Sequence, residues 1–514
     1  MGYGALYFRH TATTTAITIV NGALFYFLRI VLYRYLPSEE DYGLFYAVIS
    51  FCFLLYPLLS VGFNPGIVPF VTRLRERGNA AAVKRVALGA VLVQLIPASV
   101  LLLLTAVFAR PIATLCFHAP DGAPLVRALA LFIIVLLPFR TGAVTLLGLQ
   151  YIAARNLAEL AHVASCLGVT ILLLGRGLGV LAPAYGYVLG AVVGIAVQIT
   201  ALGCLNRAVF RARFEWDPPL VFGVFAEGKY MSVAFGGITL FSYMDTVMLN
   251  LIRGDHLLVA AYQIAAPTVM ILYAFVMAGT INFMPIATTM WLRGERDLLA
   301  DGIQRIYEAA LAVVLPATVL LACFSDVLLE VLWRNVHDAP DAFNILAVGC
   351  VFYMMCVLNV QILPGIGRPR VACTIVLTAL GANLVLNLVL IHFFAIRGAA
   401  AATVLSHVIA AALGVRAIRR ELKIQLRVAA IVASLFLNVI IVLLALGVRA
   451  TVLYADHRFI VAVLSCALLY VLAIACLELL GVARLRELWR VIRLGRNTPS
   501  PGQITGNRGE ATQQ

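Results

Sequence analysis

Residues 69–78 read P-F-V-T-R-L-R-E-R-G, and residues 285–294 read P-I-A-T-T-M-W-L-R-G. Each stretch closes a long apolar run. Pro69, Thr72, Leu74, Arg77 and Gly78 fall on Pro285, Thr288, Met290, Arg293 and Gly294 at a constant shift of 216 residues. Gly148 ahead of Gln150 answers to Gly365 ahead of Gly367 at a shift of 217, and Ala182 in G-V-L-A-P-A answers to Gly398 in A-I-R-G-A-A at 216. A single Gly or Ala match in apolar sequence carries little, but several landmarks at one spacing indicate two homologous halves. The same shift sets Arg29 against Asp245, so equivalent positions carry opposite charges.

The 514 residues are 63% hydrophobic and 12% charged, with a mean hydropathy of +0.99. A soluble chain has no interior large enough for that much apolar side chain, so the sequence specifies a polytopic membrane protein. Apolar runs of spanning length fall at 12–34, 43–66, 86–108, 126–148, 157–175, 179–203, 231–252, 258–282, 303–325, 342–363, 371–393, 398–415, 427–448 and 458–480. At roughly 20 residues per crossing this predicts about fourteen transmembrane helices in an all-α fold, with 398–415 the marginal one. The expected plan is an N-terminal six-helix lobe over 1–217, its repeat over 218–425, and two additional transmembrane helices over 426–482. Residues 483–514 are expected to form a basic amphipathic segment, where Arg484, Arg486, Arg490, Arg493 and Arg496 are interleaved with Leu485, Leu488, Trp489 and Ile492, and a disordered cytoplasmic tail from the polar stretch that begins at Asn497.

Charge sets the orientation. Arg73, Arg75, Arg77, Lys84 and Arg85 crowd one loop, Arg207, Arg211 and Arg213 another, and Arg416, Arg419, Arg420, Lys423 and Arg427 a third, all in even-numbered loops. The odd-numbered loops hold Glu39, Glu40 and Asp41, or Asp326, Glu330, Asp338 and Asp341. The positive-inside rule then places both termini and the basic loops in the cytoplasm. The net charge of +14 is explained by topology and calls for no nucleic acid. Most of the ten cysteines lie in apolar runs and none forms a C-x-x-C, so neither a disulfide framework nor a metal site is expected. The first apolar run is of spanning length without a small-x-small exit, so no cleavable signal is expected.

No Walker motif, Ser/His/Asp arrangement or carboxylate dyad occurs in a soluble segment, which excludes an ATPase and a glycosyltransferase. Chemistry must therefore reside in polar residues within the spans. Helix 1 carries Arg29. Helix 2 contains Gly62, Phe63, Asn64, Pro65 and Gly66, tolerated at depth only against a cavity or other protein. Helix 4 carries Arg140 two residues after Pro138, helix 5 opens with Arg155, Glu159 and His162, helix 7 holds Asp245 and Asn250, and helix 11 holds Asn383 and Asn387 one turn apart.

Taken together, Arg34 with L-P-S-E-E-D-Y-G-L-F (36–45), G-F-N-P-G-I-V-P-F-V (62–71), S-Y-M-D-T-V-M-L (242–249), and N-L-V-L-N-L-V-L-I (383–391) running into I-R-G-A-A-A-A-T (396–403) resemble the polysaccharide transport family. These are the lipid-linked oligosaccharide, or O-antigen type, flippases of the multidrug/oligosaccharidyl-lipid/polysaccharide exporter superfamily. The resemblance spans about residues 12 to 480 as a series of weak motifs in order, and Leu36 stands where a glycine generally precedes the turn. It implies two six-helix lobes across a central cleft lined by helices 1 and 7. It also implies export of a polyprenyl-diphosphate-linked glycan across a bacterial cytoplasmic membrane, alongside a polysaccharide polymerase and chain-length machinery.

A diphosphate crossing the bilayer needs fixed cations, and arginine's planar fork holds two oxygens while staying charged. Arg29 and Arg140 are the candidates for substrate contact, with Asn64 and Asn250 as neutral cleft candidates. The rival readings are an ion pair of Arg140 with Glu159 or Asp245, and contact of Arg29 with headgroups or Glu39. Asp245 is a candidate for proton or sodium coupling, or for a latch with Arg29. Glu159 and His162 are gate or coupling candidates weighed against an interfacial pair with Arg155. The runners-up for function are a proton- or sodium-coupled multidrug antiporter, which would want several cleft carboxylates, and a peptidoglycan lipid-precursor flippase. The latter is expected to carry cations in helices 2 and 8, which here carry none. A non-transporting scaffold leaves Arg140 without a use.

Overall fold

Helix ends in the computed structural model fall where the chemistry of the sequence changes. The structure describes residues 3–60, 62–278, 283–334, 338–424 and 427–479, and among these there is no strand. Helix α1 (Tyr3–Tyr35) stops ahead of Pro37. Ser38 caps α2 (Glu39–Leu59), its hydroxyl accepting the Asp41 amide at 3.0 Å, and the acidic first turn complements the positive end of the helix dipole. Gly62, at φ 71°, turns the chain into α3 (Phe63–Glu76), so the run 43–66 is a broken crossing.

The first half continues with α4 (Ala80–Phe117), α5 (Ala123–Gly148), α6 (Ile152–Leu174) and α7 (Leu181–Leu205); α8 (Arg207–Arg211) then leads to α9 (Pro218–Arg253). The second half, opened by α9, adds α10 (His256–Ala278), α11 (Phe283–Leu292), α12 (Arg296–Ala309), α13 (Leu315–Cys323), α14 (Ser325–Trp333), α15 (Ala339–Gly365) and α16 (Pro369–Glu421). A π-helical turn at Ala310–Val314 splits the run 303–325 just ahead of Pro316, whose ring nitrogen cannot donate to the ladder. Helix α16 has 53 residues. Straight, it would measure about 80 Å against a core of ~30 Å, so it cannot be one crossing. It breaks at Ala395 (φ 47°), and Gly398 folds back so tightly on the Leu390 carbonyl that a Cβ has no room. The marginal run 398–415 is its return leg.

The chain ends with α17 (Val428–Arg449), α18 (Val452–Asp456) and α19 (Arg458–Leu479). Helices α17 and α19 pack on α13, and Arg449 pins the pair by a fork onto Asp326 at 2.9 and 3.1 Å. The expected amphipathic segment beyond them lies outside the described residues. Eleven helices among the described residues are long and apolar enough to cross a membrane, and α16 supplies two legs. Leu92, Ile96, Val100, Leu103 and Val107 of α4 are 46–67% exposed along one helical face, a stripe suited to lipid.

The internal repeat is written into the backbone. Left-handed residues recur at the sequence shift: Gly78 with Gly294 (φ 68° and 76°), His118 with Arg334 (52° and 73°), Gln150 with Gly367 (63° and 80°), and Gly179 with Ala395 (52° and 47°). Hydrogen bonds repeat as well. The amides of Gly78 and Asn79 reach the carbonyls of Arg75 and Leu74, and those of Gly294 and Glu295 reach Trp291 and Met290, the same helix-ending motif twice. Helix α1 packs on α6 and α5 on α7, just as α9 and α15 pack on α16.

Candidate functional site in the central interface

The two ends of the bundle are named here by their loops, a basic face carrying Arg73–Arg85 and an acidic face carrying Glu39–Asp41. Between them, Arg29 of α1 and Arg140 of α5 converge on one region. The Arg29 guanidinium lies 4.3 Å over the Tyr46 ring and donates from Nη1 to Gln263 Oε1 of α10 at 2.8 Å. Gln263 in turn donates to Thr246 Oγ1 at 2.5 Å, which fixes its carbonyl oxygen toward the arginine. Arg140 donates from Nη1 to Glu159 Oε1 at 3.1 Å. Tyr243 lies within electrostatic reach of both arginines, stacked on Phe53 at 4.9 Å, and Tyr56 lies within reach of Arg140 and Glu159. The result is two guanidiniums among tyrosines, with one carboxylate that is already paired.

Burial separates these groups. The Arg140 side chain is 37% exposed although it sits in the interior of a 26-residue helix, while Glu159 is 14% exposed. A guanidinium has five N–H donors, and Glu159 engages one of its nitrogens, so the fork keeps donors for an incoming anion.

Several expectations change. Glu159 pairs with Arg140 of the neighbouring helix and not with Arg155, because helix α6 turns that face inward. His162 is not interfacial: it is 2% exposed, between the rings of Phe139 at 4.8 Å and Phe25 at 5.9 Å. Arg29 reaches neither headgroups nor Glu39, whose carboxylate accepts from Tyr33 at 2.9 Å. Asn64 donates to Tyr56 at 2.6 Å and accepts from Thr141 at 3.3 Å, within the first half. Asn250 is away from the central region, at the acidic-face junction, donating to the Cys116 carbonyl at 2.7 Å. The lining tyrosines were not singled out from sequence. Their signals were Tyr46 and Tyr56 along the apolar run of helix 2 and Tyr243 two residues before Asp245.

Asp245 occupies a different setting. It is 2% exposed and accepts from Tyr262 at 2.7 Å, Asn387 at 2.8 Å, Asn383 at 3.4 Å and the Thr403 hydroxyl. These donors come from α10 and both legs of α16, so one carboxylate ties three segments to α9. It makes no ion pair among the described residues, and the Arg29–Asp245 latch is absent in this structure. Asn383 and Asn387 clamp neighbouring helices, as expected for amides in a span. The Asn387 carbonyl oxygen is buried without a hydrogen-bond partner.

The halves meet at both ends. On the acidic side His256 donates to the Phe117 carbonyl at 2.7 Å, and Gly43 lies against the His256 backbone with no room for a Cβ. On the basic side Ser232 donates to the Gly62 carbonyl, Gly66 lies against Gly228, and Arg73 pairs with Glu227. The small-residue stretch at 62–66 therefore packs on protein, one of the two options its composition left.

A family described as polysaccharide biosynthesis protein matches residues 8–289. The chain belongs to that family. Among relatives, an uncharacterized membrane protein of Methanocaldococcus jannaschii is 25% identical over 402 residues, covering 75% of this chain and 78% of that one. A probable low-salt glycan biosynthesis flippase of Haloferax volcanii is 25% identical over 321 residues, covering 62% of this chain and 65% of that one. A solved structure of the lipid II flippase MurJ, in an inward closed conformation, superposes with a TM-score of 0.71 over 90% of this chain and 98% of its own, at 13% identity. At that identity the likeness speaks to the fold alone, an all-α polytopic membrane fold. The chain is a multi-pass membrane protein of that family.

Proposed function

We propose that the chain moves a polyprenyl-diphosphate-linked oligosaccharide from the cytoplasmic to the outer leaflet by alternating access of its two lobes, 1–217 and 218–425, in cell-surface polysaccharide synthesis. The observation that carries this reading is the convergence of Arg29 and Arg140 on one tyrosine-lined region where Glu159 is paired with Arg140 and Asp245 is enclosed by its own hydrogen bonds. A diphosphate finds forked donors there, and sugars find tyrosine faces and hydroxyls. The basic face is the cytoplasmic one by the positive-inside rule, in a bacterial cytoplasmic membrane. The contacts at both ends supply the two gates that alternating access requires.

Asp245 is the coupling candidate. Tyr262, Thr403, Asn383 and Asn387 surround it with oxygen-bearing side chains, and the unpartnered Asn387 carbonyl oxygen suits a proton-bearing group or a sodium ion. An antiporter for organic cations needs carboxylates open to the cleft, whereas Glu159 is paired and Asp245 is enclosed. A peptidoglycan-precursor flippase is disfavoured by the lack of Lys or Arg in α2 and α10.

The test is flipping of a fluorescent polyprenyl-diphosphate glycan in proteoliposomes, with and without a proton or sodium gradient. Acceleration by the parent chain supports the reading. Export of an organic cation with no glycolipid movement sinks it in favour of the antiporter.

A further inference from the structure

A second cavity-forming region of this molecule lies away from the central arginines. It lies on the acidic face, holds about 400 Å³, and is lined by Tyr33, Arg34, Tyr35 and Glu39 on one side and Trp333 and Arg334 on the other. That volume falls within the ~300–1,000 Å³ typical of small-ligand sites. The walls come from the two halves of the chain: the last turn of α1 with the start of α2, and the end of α14.

Trp333 forms the floor. It is fully buried, donates from Nε1 to the Tyr26 hydroxyl at 3.1 Å, and meets Tyr33 edge-on at 5.6 Å. Tyr26 also hydrogen-bonds Thr268 of α10 at 2.8 Å. The floor is therefore a rigid aromatic joint between the halves, and the cavity opens above it.

Its charge selects an anion. Arg34 and Arg334 bring two guanidiniums and Glu39 brings one carboxylate, which already accepts the Tyr33 hydroxyl at 2.9 Å. Arg34 places one terminal nitrogen on the Leu332 carbonyl at 3.2 Å, which holds the side chain across the two halves and leaves its other donors to the cavity. Arg334 is held at φ 73°, ψ −77°, a strained conformation for a residue with a side chain. A glycine would adopt it more easily, yet an arginine stands there with its side chain at the cavity.

The level of the cavity selects the carrier of that anion. Arg34 closes the apolar run of helix 1, and Tyr33, Tyr35 and Trp333 cluster at the same height, as aromatic residues do at the headgroup level of a bilayer. Arginine forks match phosphate. We propose that this pocket binds the phosphate group of a membrane lipid at the acidic face, bridging the two halves from that side. The site does not depend on what the central region transports.

The experiment is native mass spectrometry of the full chain in detergent, titrated separately with phosphatidylglycerol, sugar-free polyprenyl diphosphate and inorganic phosphate. Arg34→Gln and Arg334→Gly are each expected to weaken lipid retention about tenfold or more, the loss of a charge-assisted contact. Arg334→Gly also relieves the backbone, so its melting temperature should hold or rise while binding falls, which separates loss of the site from loss of the fold. Glu39→Gln should tighten binding, since it removes the one negative charge and keeps an acceptor for Tyr33. Weakening with both lipids marks a general headgroup site, and weakening with polyprenyl diphosphate alone marks an exit position for the transported lipid; either supports lipid-borne phosphate as the ligand. Unchanged lipid binding in both arginine variants, or inorganic phosphate binding as tightly as the lipids, overturns the proposal.

Discussion

Arg29 and Asp245 occupy equivalent positions in the two halves, yet their surroundings differ in kind. Asp245 is enclosed because α9 lies along both legs of α16, and the small residues Gly398, Ala399, Ala400 and Ala402 let the return leg bring Thr403 up to the carboxylate. Helix α1 packs mainly on α6, and Arg29 instead leans across the interface to Gln263 of the opposite half. One half therefore presents its charge to the shared space, and the other seals its charge inside itself. On the proposed reading this divides the work, with anion handling in the first half and cation coupling in the second.

The largest effect should come from Arg140→Ala. Losing charge-assisted hydrogen bonds to a diphosphate costs about 1.5–3 kcal/mol, so flipping in proteoliposomes should fall about 10- to 100-fold, with Arg140→Lys restoring it in part because it lacks the fork. A parent-like rate in Arg140→Ala would mean that the Glu159 pair is purely structural.

Asp245→Asn should act differently. It should abolish the response to an imposed ion gradient, and the new amide, facing the amides of Asn383 and Asn387, should cost about 1–3 kcal/mol in thermal unfolding. Retained gradient dependence would place coupling elsewhere and end the division of labour.

Two glycines test the ends of the interface against each other. A Cβ at Gly43 collides with the His256 carbonyl, and one at Gly66 with the Val224 carbonyl. Overpacking of about 1–3 kcal/mol should shift the balance of states about 5- to 150-fold. Gly43→Ala should favour opening at the acidic face and Gly66→Ala at the basic face, read as opposite changes in the labelling of introduced cysteines. The same direction of change in both variants would contradict two independent closures.

The smallest effect belongs to Arg73 and Glu227, an ion pair with both side chains nearly half exposed. Arg73→Glu should cost no more than about 1 kcal/mol of basic-face closure, and the double swap with Glu227→Arg should recover it. A large, unrecovered loss would make Arg73 something other than a rim contact.

The sequence by itself determined the class of molecule, most of the spanning runs and the landmarks of the two-fold repeat. Each of these is local or periodic: spans need unbroken apolar runs, and helix ends need turn glycines such as Gly78 and Gly294, so their record survives in one dimension. It also located the deep charges, because a charge in an apolar run is conspicuous. What it left open was their pairing. Arg140 had Glu159 or Asp245 as rivals, Arg29 had headgroups or Glu39, and the outcomes were Glu159 and Gln263. Only the tertiary structure decided these, because a partner from another helix is chosen by helix rotation and interhelical distance, and neither leaves a spacing in the chain. The acidic-face pocket is the extreme case. Arg34 and Arg334 lie 300 residues apart, and nothing short of the folded interface brings them to one cavity.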